Sequence, residues 1–203
     1  LARQVIPVQQ QPEPKSFGKN VRTPGARWLS GLAMPPQSQK EWKGHEYWHK
    51  CLNDLYACYN GICAYYAIYI DMTSGYATVD HFVPKSADPK QAYEWNNYRL
   101  SSFRPNSAKR DAVSIMDPFA LRKWTFFINF SNGEVRPNDR LPVDEKIKVD
   151  ETIKILKLNA SEITRKRAED FSAYIAGMVT LEYLVKYSPF VAEEITRQHL
   201  ELA

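Results

Sequence analysis

Ala77-Thr78-Val79-Asp80-His81-Phe82-Val83-Pro84-Lys85-Ser86 is the stretch on which the reading of this chain turns. A short β-branched and apolar run delivers an Asp-His pair and is stopped by Pro84, which predicts a strand carrying the pair at its end. A carboxylate holds a hard cation, while an imidazole titrates near neutrality and takes a proton from water. The pair therefore suits metal-assisted hydrolysis. Two later stretches go with it. Trp95-Asn96-Asn97-Tyr98-Arg99-Leu100 leads into a second strand over 98–102, and Asn106-Ser107-Ala108-Lys109 follows Pro105 at a helix start. Asn106 is a candidate second oxygen ligand, and Lys85, Arg99, Arg104, Lys109 and Arg110 are candidate positive charge for a phosphodiester. Between Tyr98 and Arg110 there are four basic residues and no acid. A solvated helix face has the same composition, and that alternative stays open.

Asp80-His81, then Asn97, then Asn106 with Lys109 three residues on, resembles the His-Asn-His (HNH) endonucleases with a ββα-metal site. In particular it resembles the variant whose final metal-binding His is Asn, as in the HNH domain of RNA-guided CRISPR effector nucleases. The match spans residues 77–111. The resemblance implies a first strand bearing Asp80 and His81, Asn97 in the connecting loop, and Asn106 opening a helix. It also implies His81 as general base on water, and one Mg²⁺ or Mn²⁺ held by Asp80 and Asn106. Asn97 would brace the loop, while Lys109 and Arg110 would grip the phosphates of DNA.

A wider stretch, Trp42 to Tyr66, resembles the lead-in of the HNH nucleases of Septu-type and retron-associated anti-phage systems. There a helix runs into a Cys-x-x-Cys knuckle, and a second Cys pair precedes the final Asn. Here only Cys63 stands at those positions, with Tyr66, Ser102 and Pro105 at the others. Four converging soft or imidazole ligands are not on offer, so no structural zinc is expected. Tyr65, Tyr66 and Phe103 are expected to pack in its place. The hairpin signal Ser131-Asn132-Gly133-Glu134, the run from Thr152 to Asn159, and a helix bearing Arg165 extend the resemblance over most of 42–170. What it implies is a cytoplasmic anti-phage nuclease restrained by a protein partner, an ATPase or another defence-system subunit. The helical block 162–202 is the candidate surface for that partner.

The rest of the chain sets bounds. At 203 residues, with 44% hydrophobic and 13% aromatic content, it predicts one globular domain with a sizeable core. A net charge of +4 suits a polyanionic partner without demanding one. Three cysteines make no disulfide framework and fit a reducing compartment. No apolar run reaches the length of a membrane span, and the first residues show no signal-peptide pattern. Residues 1–24, rich in Gln and Pro, read as an extended, disordered arm whose Lys15, Lys19 and Arg22 are candidate phosphate contacts.

From Gln37 to Tyr59 the apolar spacing is helical, with Asn60-Gly61 as its stop. Within it His45-Glu46-Tyr47-Trp48-His49 matches H-E-x-x-H, in which both imidazoles bind zinc from one helix face and Glu46 activates water. Gly44 and Lys50 flank it poorly, and no His follows at the extended spacing. Ile62 to Ile70 is β-prone, residues 123–130 and the turn after them form a hairpin, and long helical patterns follow to about His199. The expected fold is α+β, with a ββα-metal (HNH) core embedded between helices in one domain, 25–203, plus a hairpin and a C-terminal helical extension from about 150. The rival readings are a zinc metallopeptidase at His45, Glu46 and His49, and a non-catalytic HNH-fold protein that binds nucleic acid or a partner.

Overall fold

The period-two pattern of residues 77–81 and 98–102 becomes an antiparallel hairpin in the computed structural model, which describes residues 8–202. Strand β1 (Ala77–His81) pairs with β2 (Tyr98–Ser102), and helix α3 (Phe103–Lys109) follows directly. The register sets Val79 against Leu100, Asp80 against Arg99 and His81 against Tyr98. Successive strand residues point to opposite faces. One face, with Val79, His81, Tyr98 and Leu100, is therefore buried as core. The other, with Thr78 and Asp80, lies under α3, whose side chains bond to both. Asn106 sits in the second turn of α3 instead of opening it, because the helix already begins at Phe103.

By its internal contacts the chain divides into two compact units. The hairpin–helix unit is Gln10–Gly61 and Ile70–Val113. Its core is aromatic: Phe17, fully buried, meets Trp95 and Tyr98 edge-on at 5.5 and 5.6 Å. Such pairs contribute about 0.5–1.5 kcal/mol beyond their area. Helix α1 (Thr23–Ser30) passes so close to Tyr93 that a Cβ on Gly25 would lie 2.2 Å from its ring.

The extended-arm expectation for 1–24 fails from Phe17 onward, and residues 1–7 lie outside the described part. Phe17 and Val21, one helical turn apart, are both fully buried, and 18–22 coil into a π-helical turn before α1. Even the Gln-rich stretch is tied down: Gln11 N–H donates to the Tyr59 hydroxyl (3.1 Å) and Gln11 carbonyl accepts from the Trp95 indole (2.8 Å). The long helix expected over 37–59 is also corrected. Turns occupy 38–44, Gly44 takes φ +86°, a 3₁₀ turn covers Tyr47–Cys51, and only α2 (Leu52–Cys58) is α-helical. Trp42 and Trp48 there serve a cluster with Tyr93, not a helix face.

The second unit comprises, among described residues, 8–9, 62–69 and 114–202. Residues 62–70 form no strand. Ala67 at φ +50° closes a tight turn onto Cys63, leaving a single bridge between Ile62 and Tyr69. Tyr65 and Tyr66 are buried as expected, but Phe103, in the other unit, is 59% exposed and packs in no zinc site's place. Strands β3 (Phe126–Asn129) and β4 (Glu134–Pro137) form the second hairpin. Helices α4 (Val143–Ile155), α5 (Ser161–Ile175), α6 (Leu181–Tyr187) and α7 (Pro189–Arg197) complete a mixed, α+β structure. No helix among the described residues is long and apolar enough to cross a membrane.

Candidate catalytic site

Strand alternation sends Asp80 and His81 in opposite directions, and each finds a different environment. Asp80, 3% exposed, faces α3. Lys109 Nζ lies 3.2 Å from its Oδ1 and donates to the His81 carbonyl at 2.7 Å. One turn back on α3, Asn106 Nδ2 donates to Thr78 Oγ1 at 2.9 Å. The pairs Thr78–Asn106 and Asp80–Lys109 thus match an i, i+2 step on the strand to an i, i+3 step on the helix.

His81 turns into the core, 6% exposed, with Trp48 edge-on at 4.8 Å and Tyr98 at 5.2 Å. Its Nε2 lies 3.0 Å from the Ala92 carbonyl, which also accepts from the Tyr98 hydroxyl at 2.7 Å. A carbonyl accepts only, so Nε2 carries the proton and Nδ1 keeps the lone pair. Burial holds the imidazole well below its ordinary pKa. The nearby Lys85 ammonium pushes the same way, as do Lys109 and His49, against the Ala92 bond. A neutral ring with its base nitrogen defined by a backbone contact can accept a proton.

Asn97 binds backbone. Its Oδ1 accepts from Val83 N–H (2.7 Å), and its Nδ2 donates to the Val83 and Gln91 carbonyls (3.0 and 3.1 Å). The basic residues divide. Arg99, 3% exposed, donates to the Asn96 and Tyr98 carbonyls and stacks on Phe82 at 4.8 Å. Arg99 and the fully buried Lys109 are therefore not phosphate contacts on the surface. Lys85 rests its ammonium over the Trp48 and Trp42 rings (4.8 and 5.8 Å), and burial lowers its pKa. Arg104 and Arg110 are exposed. A hollow of about 390 Å³ runs beside β1, lined by Thr78, Asn106, Phe103 and His49.

The residues of the H-E-x-x-H motif are not presented from one helix face. His45 and Glu46 precede the 3₁₀ turn, and His45 stacks on Trp28 at 4.1 Å while His49 faces the hollow. Two contributions escaped the sequence, the Ala92 carbonyl and Thr78, while His49 was read there only as a zinc ligand. Only Thr78 left a signal, two residues before Asp80 and so on the same strand face.

A hard divalent cation takes oxygen donors and keeps several waters. Asp80 and Asn106 are such donors on facing elements, and positive charge already sits against Asp80 Oδ1 in the Lys109 ammonium. The residues fit a cation there on condition that Lys109 yields. Among the described residues no three His, Cys, Asp or Glu side chains converge on a metal site. Neither a protein-family model nor a curated protein matches the chain.

Proposed function

We propose that the hairpin–helix unit is a ββα-metal (HNH) endonuclease core that hydrolyses DNA phosphodiesters. The observation that carries this reading is His81, whose Nε2–H is anchored on the Ala92 carbonyl and whose burial keeps it neutral. Nδ1 takes the proton from the attacking water, and the imidazolium so formed is stabilised by the Ala92 carbonyl through Nε2–H. Asp80 and Asn106 hold one Mg²⁺ or Mn²⁺, which when bound supplies positive charge against the phosphoryl oxygen and the leaving group. Asn97 keeps the loop after β1 in place through Val83. Exposed Arg104 and Arg110 contact phosphates, which fixes register and not sequence.

Asp80 and His81 are both more than nine-tenths buried. Cleavage therefore requires the side chains around them, Lys85 and Lys109 first, to move. That need for an opening step favours restraint by a protein partner, of the ATPase kind in an anti-phage system, acting in the cytoplasm. The helices over 162–202 are its candidate surface.

The test is plasmid nicking in Mg²⁺, Mn²⁺, Zn²⁺ or EDTA. His81→Ala is expected to lose about 10²–10⁴-fold in rate while binding Mn²⁺ as the parent does. Asp80→Ala and Asn106→Ala are expected to recover in part at high Mn²⁺. Parental cleavage by His81→Ala, with Glu46→Ala inactive, would transfer the assignment to His45 and His49.

A further inference from the structure

A cavity of about 740 Å³ opens in the C-terminal unit between the segment before β3, the loop after β4, α6 and α7. Small-molecule sites occupy about 300–1,000 Å³. One wall is Trp124. It is 49% exposed and held at φ +63°, a strained backbone for so bulky a residue. Its carbonyl accepts from Asn138 Nδ2 at 3.0 Å, which fixes the strained position. Phe127 and Arg197 line it as well. The Arg197 guanidinium stacks on Phe127 at 3.6 Å while pairing with Glu194 at 2.5 and 2.8 Å.

Three polar groups of this cavity lack an ion-pair or hydrogen-bond partner, although the Lys123 ammonium lies over one face of the Trp124 ring at 5.2 Å. Lys123 and Arg140 line it, and among the described residues neither has a carboxylate at ion-pair distance. Glu193 Oε1 is buried without a hydrogen-bond partner. Burial pushes this carboxyl up to about 7, so at neutral pH it serves as acceptor in one form and donor in the other. An apolar peptide would leave Glu193 unbonded. Inorganic phosphate would leave the indole uncovered, and so would a sugar phosphate.

We infer that this cavity binds a nucleotide, with the base stacked on the face of Trp124 that Lys123 does not cover, a base-edge N–H bonded to Glu193, and the phosphate held by Arg140 with Lys123 swinging from the indole to join it. A free mononucleotide and an unstacked nucleotide of a nucleic-acid strand present the same chemistry. The assignment does not rest on His81 or on cleavage.

The full chain in EDTA, so that no hydrolysis intervenes, is titrated with GMP, ribose 5-phosphate, inorganic phosphate and a short single-stranded oligonucleotide. Calorimetry gives the affinities. GMP is expected to bind with a dissociation constant of about 1 mM or tighter, and ribose 5-phosphate and phosphate about tenfold more weakly. Trp124→Ala is expected to weaken GMP about fivefold or more, the loss of one stacked base. Glu193→Met weakens GMP and leaves ribose 5-phosphate unchanged, with circular dichroism showing that both variants fold. Oligonucleotide binding without GMP binding, lost in Trp124→Ala, makes the source a strand and sustains the assignment. If GMP binds no better than ribose 5-phosphate and the oligonucleotide ignores Trp124→Ala, the assignment is overturned.

Discussion

Asn97 and Asn159 hold their units in the same way. Each grips one valine by both backbone groups: Val83 at 2.7 and 3.0 Å for Asn97, Val135 at 2.8 and 2.9 Å for Asn159. The buried charge near each clamp differs. In the hairpin–helix unit a carboxylate and an ammonium, Asp80 and Lys109, are buried as a pair beside a neutral imidazole. In the C-terminal unit Arg167 is buried alone and donates to the Leu158 and Gly133 carbonyls at 2.7 and 3.3 Å, its pKa lowered by burial to about 10. An amide clamp is a general device for holding a loop. A buried charge spent on carbonyls is scaffold, whereas a buried carboxylate matched to a displaceable cation is what the proposed cation site requires.

The sharpest way to break this contrast is to remove one cation from each unit. Lys109→Met removes the ammonium held against Asp80 Oδ1 and the donor to the His81 carbonyl, which costs about 3–5 kcal/mol. Arg167→Met strands two carbonyls and no opposite charge, at about 1–3 kcal/mol. Urea unfolding measures both, and the reverse order would show that Asp80 does not depend on Lys109. Next in size, Asn97→Ala and Asn159→Ala each orphan backbone groups of one valine and should lose similar stability, about 1–3 kcal/mol. Only Asn97→Ala should also slow nicking, since only Val83 adjoins the strand that bears His81. Equal slowing in both would mean that the clamp is not local to the site.

The smallest effect is in pH. His81 is held below its ordinary 6.5, so the base stays unprotonated as pH falls through 6.5. The acid limb of nicking should therefore lie well below 6.5. Stability moves with the same sign: it is complete above 6.5 and declines below it, because the unfolded chain takes up a proton that the folded one refuses. An acid limb at or above 6.5 in the rate profile would remove His81 as the titrating base.

The hairpin of β1 and β2 was legible because alternation and Pro84 both acted locally, and Asn97 stood out by its place between two strand patterns. Other features depended on tertiary contacts. Phe17 and Val21 are isolated apolar residues in a Gln- and Pro-rich stretch, and Phe17 becomes core through its contacts with Trp95 and Tyr98. Over 37–59 the aromatic spacing satisfied a helix and an aromatic cluster equally, and Gly44 decided between them. Within 62–70 the β-branched and aromatic content was real, but Ala67 turned the chain back. The burial of Arg99 followed from its register opposite Asp80, which charge counting does not reveal. The cavity residues Lys123, Trp124, Arg140 and Glu193 are scattered along the sequence and share no motif.

The passage of the chain from one unit to the other at 61–62, and back at 69–70, has a consequence for synthesis. The hairpin–helix unit is complete once Val113 has emerged, whereas residues 62–69 are made early and finish late. Tyr66 hydroxyl donates to the carbonyl of Leu156, 90 residues downstream, and Tyr69 N–H donates to Tyr187. At about 5–20 residues per second, the wait for Leu156 alone lasts roughly 5–20 s. For that interval Cys63, Tyr65 and Tyr66, all destined for burial, stand in water. A chaperone that holds aromatic segments would find this nascent chain exposed longest at that stretch.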